Sequence, residues 1–440
     1  MQIALPDFAK KAIDMLNGKN FEAYIVGGCV RDCIMGITPN DWDITTSASP
    51  EEIGLVFKDF KTIKTGIKHG TVTVLIEDNP LEITTYRIDG KYSDNRHPDK
   101  VKFTKNLKED LLRRDFTINS LAYHYNTGVI DFFGGIKDIE RKIIRCVGEG
   151  DKRFSEDALR IMRALRFSST LGFSIDQNTK NSIHKNFELL EKISPERIYS
   201  ELSKLLCGNN AKEVLMEFKS VIAKIIPEIE KSFSFNQKTP YHIYDVYEHT
   251  VNSVANIDPD LILRLTMFFH DIGKPYCFTV DENGQGHFKG HSKISVKICE
   301  DVLRRLKCDN NTIEEVTTLI KYHDTVIEND EKLIKRWFNR ISPEGFFKLL
   351  KIKMADTLSQ NPIFDRSELI DKLYISAKDI LKKKECFSIS SLKINGDDLI
   401  SLGMKEGKEI GDTLNFLLDA VIDKKCINER QSLLNFYLKK

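Results

Sequence analysis

Two aspartates, Asp41 and Asp43 in the run Asp41-Trp42-Asp43-Ile44, have a type and spacing suited to holding a metal ion. In a β-strand, residues i and i+2 leave the same face, so the two carboxylates project together while Trp42 and Ile44 pack behind them. Hard oxygen ligands side by side suit Mg²⁺, which is usually held by one or two carboxylates plus substrate phosphates. Glu82, in the strand-like run LEITTYR, is a third acid if that strand lies alongside; otherwise the pair is the polar face of an edge strand. Upstream, IVGGCVRDCIMG (25 to 36) reads as a strand ending in Gly27 and Gly28, with a helix starting near Cys29. Backbone amides without side-chain obstruction there favour a phosphate, and Arg31 adds a charge-assisted contact.

A second group lies in the other half. Six of the ten histidines (His242, His249, His270, His287, His291, His323) fall between residues 242 and 323. His270 and Asp271 end the apolar run LILRLTMFFHDIGK, His249 precedes them in YDVYEHTVNSV, and Asp356 follows in KMADTLSQ. Imidazole and carboxylate ligands with open positions suit a transition metal, Ni²⁺, Mn²⁺ or Co²⁺, that activates water against a phosphate ester. His291 and His323 could hold a second ion or the phosphate itself.

The elements that must position these residues follow from pattern. At 440 residues the chain has room for two to four domains; 66 Lys and Arg against 65 Asp and Glu leave no bulk charge to demand or exclude nucleic acid. Basic residues do cluster, at 86 to 114, 141 to 166 and 332 to 353, as phosphate sites or as solvated faces. No apolar run approaches a membrane span and no signal core is visible, so a cytoplasmic protein is expected. Nine cysteines without a C-x-x-C pair suggest reduced thiols rather than a disulfide framework or zinc ribbon. Ala9, Ala12, Ile13 and Leu16 mark an amphipathic first helix. Strands AYIVGG, TVTVLI and LEITTYR alternate with helices as far as about Gly148, and almost everything after Ser155 has helical periodicity. Ser155 before Glu156 and Asp157, and Ser194 before Pro195, read as helix starts. The division expected is 1–150, 151–235, 236–360 and 361–440, with a turn-rich boundary at 232 to 240.

GGCVRD followed by DWDI resembles the signature of the class II tRNA nucleotidyltransferase and poly(A) polymerase family. YRIDGKYSDNRHP (86 to 98) resembles that family's loop, RRDFTINS (113 to 120) its ribose-sensing motif with Ser120 where alanine is usual, and DFFGG (131 to 135) its hinge. EDALRIMRALRF (156 to 167) resembles the nucleotide-selecting helix and SPERI (194 to 198) the motif that props the neck. The resemblance implies an α+β chain: a polymerase-beta-like nucleotidyltransferase head with a mixed sheet, then an all-α neck, body and tail. It implies addition of CMP and AMP from CTP and ATP to the 3′ end of tRNA, held by its acceptor arm. Asp41 and Asp43 would be catalytic and bind Mg²⁺, while Gly28, Arg31, Arg114, Arg163 and Arg166 would contact the nucleotide.

Asp157 and Arg160, three apart, would share a helical face, where a carboxylate accepts from an exocyclic amino group and a guanidinium donates to ring acceptors. Cytosine and adenine both offer an amino group beside an unprotonated ring nitrogen; uracil and guanine do not, and would leave buried polar groups unpaired. In the second half, the order His249, His270-Asp271, Asp356 resembles the HD phosphohydrolase superfamily, with His291 and His323 like the extra ligands of some members. Rival readings are a poly(A) polymerase or a partial adder, disfavoured by the loop residues Asp89, Gly90 and Arg96. A further rival is an HD phosphohydrolase or RNA-binding protein whose head only binds nucleotide.

Overall fold

Alternation in TVTVLI places Val72, Val74 and Ile76 in the core and leaves the residues between them only partly covered, the pattern of a sheet with one face packed. In a computed structural model, which describes residues 2–63, 66–90 and 101–439, this run is β4 (Thr71–Ile76) of a seven-stranded mixed sheet. Its companions are β1 (Ala23–Val26), β2 (Asp43–Thr46), β3 (Lys61–Ile63), β5 (Asn79–Thr85), β8 (Leu121–His124) and β9 (Gly128–Asp131). A separate ladder joins β6 (Arg87–Asp89) to β7 (Val101–Phe103). The sheet order is β3-β4-β5-β2-β1-β8-β9, and only β2 and β5 pair in parallel. The first helix, α1 (Asp7–Asn17), buries Ala9, Ala12, Ile13 and Leu16 as its periodicity predicts, and packs on β1.

The chain forms two compact units, Met1–Pro227 and Glu228–Lys440. In the first, α2 (Gly28–Ile34), α3 (Pro50–Val56), α4 (Leu107–Leu112) and α5 (Gly135–Glu140) accompany the sheet. A helical run follows: α6 (Gly150–Glu156), α7 (Leu159–Leu171), α8 (Gln177–Asn186), α9 (Pro195–Leu206), α10 (Ala211–Glu217) and α11 (Lys219–Ile225). Ser194 and Pro195 do start α9. Ser155, expected to start a helix, instead lies inside α6. The break comes at Asp157, which ends α6 with extended backbone and whose carboxylate accepts from the Leu159 amide at 3.1 Å. One continuous helical face through Asp157 and Arg160 is therefore not formed. Asp41 likewise precedes β2 rather than lying within it.

The second unit is helical: α12 (Val246–Ala255), α13 (Leu261–Phe269), α14 (His291–Arg305), α15 (Asn310–Tyr322), α16 (Glu331–Thr357) and α17 (Ser367–Lys382). The run LILRLTMFF is apolar apart from Arg264 and Thr266, and α13 is buried from Leu263 to Phe269, with Arg264 Nε donating to the Asp258 carbonyl; it packs against α12, α14, α15 and α16. Ser342, at φ 65° before Pro343, kinks α16. Three further helices, α18 (Gly396–Ser401), α19 (Lys408–Ile422) and α20 (Arg430–Leu438), share a small core built on Leu399, Leu417, Leu418 and Leu433. All nine cysteines are free thiols. No helix among the described residues is long and apolar enough to cross a membrane.

Candidate active sites

Gly27 ends β1 at φ +88°, and a Cβ there would stand 2.9 Å from Arg114 Nη1. The backbone angle thus requires glycine, and a side chain there would displace the Arg114 guanidinium. Gly28 opens α2 beside it. Arg114 Nη2 lies 4.0 Å from Asp110 Oδ2. The parallel register of β2 and β5 sets Glu82 directly beside Asp43, so the strand carrying the third acid does lie alongside. Burial pushes the Asp43 carboxyl up to about 6; Arg114 pulls against this, while Glu82 and Asp41 add to it. A buried carboxyl raised by two neighbouring acids is a group that a bound cation would relieve, so these residues fit a metal ion.

Four further arginines of this unit are each braced. Arg31 donates to Asn119 Oδ1 at 2.6 Å and to Asp32 Oδ1 at 2.7 and 2.8 Å. Arg163 Nε donates to Asp115 Oδ2 at 2.8 Å, and Arg166 pairs with Glu201 at 2.7 Å. Arg160 donates to Glu156 Oε2 at 2.7 Å and to the carbonyls of Arg153 and Arg113. Burial opposes ionisation of Asp115, yet Arg163 and Asn119 hold it at about 2. The guanidiniums of Arg31, Arg163 and Arg166 stand 5.1, 5.4 and 3.8 Å from the ring of Phe167, a cation–π arrangement that keeps three positive charges close together.

Asp157 does not meet Arg160 through its carboxylate; its Oδ2 accepts from Arg197 Nη2 at 2.8 Å. Asp89 pairs with Arg87 at 3.1 Å and Arg113 at 3.8 Å; Gly90 follows it, and Arg96 lies outside the described residues. The basic run 332 to 353 is largely spent within its own unit. Lys335 pairs with Glu331, Arg336 with Asp423, Lys348 with Glu315 and Lys351 with Asp258.

In the second unit five helices deliver one cluster: His249 from α12, His270 and Asp271 after α13, His291 opening α14, His323 ending α15 and Asp356 near the end of α16. Each imidazole is oriented the same way. The Nδ1 atoms of His249, His270, His291 and His323 lie 3.0, 2.7, 3.0 and 2.6 Å from the carbonyls of Ser359, Met267, Phe288 and Ile320. With Nδ1–H donating to a carbonyl, Nε2 is the nitrogen left to face a metal or, without one, to hold a proton. The Nε2 atoms converge in pairs, His249 with His270 and His291 with His323, each at 3.2 Å. Asp271 lies between the pairs: Oδ2 is 3.4 and 3.3 Å from His249 and His270, and Oδ1 is 3.4 and 3.7 Å from His291 and His323. Asp356 Oδ1 is 3.0 Å from His249. Buried ring nitrogens facing one another around a shared carboxylate fit metal ions, with His249, His270 and Asp271 around one position, Asp356 beside it, and Asp271, His291 and His323 around another. A cleft of about 510 Å³ lined by His242, Lys274, Phe288 and His291 opens onto the cluster. His287 pairs with Asp281 at the exposed lining of that cleft and is not one of the converging ring nitrogens.

Residue types and spacing did not single out Phe167, Asn119, Glu156, Arg197, Lys274 or Gln360. Lys274 Nζ is 2.6 Å from Asp271 Oδ2, and Gln360 donates to Asp356 Oδ2 at 3.1 Å. Lys274, three residues after Asp271, and Gln360, four after Asp356, were findable from helical spacing; Asn119 was not, because only the fold brings it to Arg31.

Fold and site together are those of a nucleotidyltransferase with a polymerase-beta-like head. Residues 23–145 match the Poly A polymerase head domain, 172–232 the probable RNA- and SrmB-binding site of polymerase A, and 291–437 a putative tRNA nucleotidyltransferase domain 2. The CCA-adding enzyme of Lactobacillus helveticus is 35% identical over 436 residues, 98% of this chain and 96% of that protein. The chain belongs to the CCA-adding enzyme family. The Ligilactobacillus salivarius relative is also 35% identical, over 435 residues. A crystal structure of the Bacillus stearothermophilus CCA-adding enzyme in complex with CTP superposes with a TM-score of 0.74 at 29% identity, covering 98% of this chain and 96% of that one.

Proposed function

We propose that Asp41, Asp43 and Glu82 form the catalytic centre of CCA addition, with the tRNA acceptor arm, CTP and ATP as substrates. The observation that carries this is the acid cluster beside the Gly27 turn and Arg114. In the reaction the 3′-hydroxyl of the tRNA gives up its proton to solvent as its oxygen bonds to the α-phosphorus, the bond from that phosphorus to the bridging oxygen breaks, and pyrophosphate leaves with its electron pair. Mg²⁺ on the acids, when bound, supplies charge neutralisation at the reacting phosphate. The residues of the chain do the rest. Gly27 and Gly28 leave the backbone open to the phosphates, and Arg114 and Arg31 offset their charge. Arg163 and Arg166, braced by Asp115 and Glu201, extend that positive floor. Asp157 and Arg160 read the base, from two short segments rather than one face, Arg160 giving up one of its contacts to Glu156 or to the Arg153 and Arg113 carbonyls when the base binds. The domains proposed are a head to residue 150, a neck to 235, an HD-type body to 360 and a tail. The test is incubation with tRNAs ending before, within and after CCA, with each nucleotide singly and together, and sequencing of the products. Ordered C, C, A addition is expected; homopolymeric A, or CC alone, would overturn it.

Asp157→Ala is expected to relax discrimination against UTP and GTP by on the order of 1 to 3 kcal/mol, the value of a lost buried hydrogen bond. The ratio of kcat/KM between CTP and UTP measures it; an unchanged ratio would place base reading elsewhere.

The convergent imidazoles support a second activity. We infer that the His249, His270, Asp271, Asp356 cluster, with His291 and His323, holds one or two transition metal ions and hydrolyses a phosphomonoester or cyclic phosphodiester, such as a 2′,3′-cyclic RNA end. When bound, such ions supply an activated water. Lys274, held by Gln237 Oε1 at 2.9 Å as well as by Asp271, keeps a positive charge at the cleft for the phosphate.

A further inference from the structure

Besides the cleft over Lys274, a second cleft of about 220 Å³ borders the imidazole and carboxylate cluster. His323 and Asp356 line it, so a phosphate held at the cluster would adjoin it. Its apolar lining comes from three segments: Tyr241, then Val326 and Ile327, then Leu369 and Leu373 on α17. Ile327 and Leu373 are buried, but Tyr241, Val326 and Leu369 keep 40, 76 and 43% of their surface exposed. Apolar groups left uncovered around a cleft mark a binding surface rather than core.

These groups are held in place. The Asn361 amide donates to the Tyr241 carbonyl at 2.8 Å, Asn361 Nδ2 donates to the Pro240 carbonyl at 2.9 Å, and the Tyr241 ring rests against Phe364 at a centroid distance of 4.6 Å. Lys353 Nζ donates to the carbonyls of His323 and Thr325, both at 2.6 Å, and so fixes the backbone that leads to Val326 and Ile327. A fixed, exposed aromatic ring is a platform on which a base can stack at little cost in lost freedom. Arg366 and Asp324 also line the cleft, and neither makes an ion pair among the described residues. They leave donors and acceptors for the polar edge of a base or for ribose hydroxyls. A cavity of about 150 Å³ holds benzene, so this cleft has room for a single base.

We propose, on the hydrolytic reading of the cluster, that this cleft is its nucleoside subsite. The substrate class is then a nucleoside phosphate, such as the 2′,3′-cyclic end of an RNA, rather than phosphate esters at large. The base lies against Tyr241, Val326 and Leu369, and the phosphate reaches the cluster beside Asp356. Hydrolysis of the cyclic ester adds the oxygen of water to phosphorus and breaks one of the two bonds from phosphorus to ribose oxygen. One proton of the water goes to the released ribose oxygen, and the other stays on the phosphomonoester formed.

The test compares adenosine 2′,3′-cyclic phosphate, a tRNA ending in a 2′,3′-cyclic phosphate, and glycerol 1,2-cyclic phosphate, which has the same phosphate ring but no base. The full chain is assayed with Ni²⁺, Mn²⁺ and Co²⁺. Tyr241→Ala is expected to lower the ratio of kcat/KM for either nucleotide substrate to that for the glycerol ester about tenfold, the effect of losing a stacked base. Use of the mononucleotide or of the tRNA supports the subsite, and the better substrate shows which source it takes. A second readout does not need turnover: RNA ending in 4-thiouridine 3′-phosphate is photocrosslinked to the full chain, with and without metal, and the adducts are mapped by mass spectrometry. Adducts on peptides carrying Tyr241, Val326 or Leu369 are expected. An unchanged ratio in Tyr241→Ala, or adducts confined to the head or to the cleft over Lys274, would overturn the proposal. Should Tyr241→Ala fail to fold, Val326→Glu carries the same ratio, since it sets a repelling carboxylate at an exposed position of the lining. Hydrolysis of the glycerol ester as readily as of the nucleotides rejects the subsite alone. If no cyclic phosphate is hydrolysed with any metal, the hydrolytic reading fails; adducts at Tyr241 then still support a nucleoside site, and their absence rejects both.

Discussion

Asp43→Asn is expected to lower nucleotide addition by on the order of a thousandfold or more, the several kcal/mol that a lost metal ligand costs at a reacting phosphate. The same variant is expected to make the metal-free protein more stable. Burial, with Glu82 and Asp41, raises the Asp43 carboxyl from 3.8 to about 6 in the folded state despite Arg114. A raised acid is protonated in both states at low pH, so its destabilising contribution is absent below about pH 3.8. It develops as pH rises between 3.8 and 6 and is fully present above 6. Asparagine removes it, giving a gain of about 1 to 3 kcal/mol at neutral pH. Denaturant unfolding of both proteins at pH 7.5 in chelator, and again with Mg²⁺, measures the effect. The gap should narrow with Mg²⁺, because the ion relieves the acids of the wild-type chain. An Asp43→Asn protein that is less stable than wild type in chelator, or that retains near-normal addition, would reject the acid cluster as the catalytic metal site.

His270→Ala is expected to abolish metal-dependent hydrolysis and to cut transition-metal content, leaving CCA addition near its wild-type rate. Asp43→Asn should do the reverse, because the two sites share no residue. Ni²⁺, Mn²⁺ or Co²⁺ should raise the thermal midpoint of the wild-type chain by several degrees, a stabilisation of about 3 kcal/mol at a hundredfold excess over Kd. His270→Ala should lose that shift. The fold should nevertheless survive chelation: although burial opposes it, Asp271 and Asp356 push the His270 imidazole up to about 10, so a proton takes the place of the ion between them. Elemental analysis, melting curves and hydrolysis of a 2′,3′-cyclic nucleotide with each metal are the measurements. Metal binding without hydrolysis of any phosphate ester would leave a structural metal site in this unit.

Much of this was legible from residue order, because the signals are local. The alternation of TVTVLI, the apolar face of α1, the Ser194-Pro195 start and the largely apolar run LILRLTMFF each specify an element through its own neighbours. The spaced histidines and the paired aspartates likewise marked the residues that gather in the two candidate sites, although Asp41 lies before β2 rather than on it. Where the sequence misled, a side chain competed with the backbone pattern: Asp157 keeps helical spacing to Arg160, but its backbone is extended and its carboxylate accepts from the Leu159 amide where the helix breaks. Tertiary structure alone decided what strand pairing and packing bring together from afar. The parallel register of β2 and β5 set Glu82 beside Asp43, Asn119 reached Arg31, and Arg197 reached Asp157. It also decided the direction of the His249 imidazole, whose Nδ1 meets the distant Ser359 carbonyl, whereas His270, His291 and His323 each meet the carbonyl three residues back, a contact set locally by the backbone at a helix end or turn.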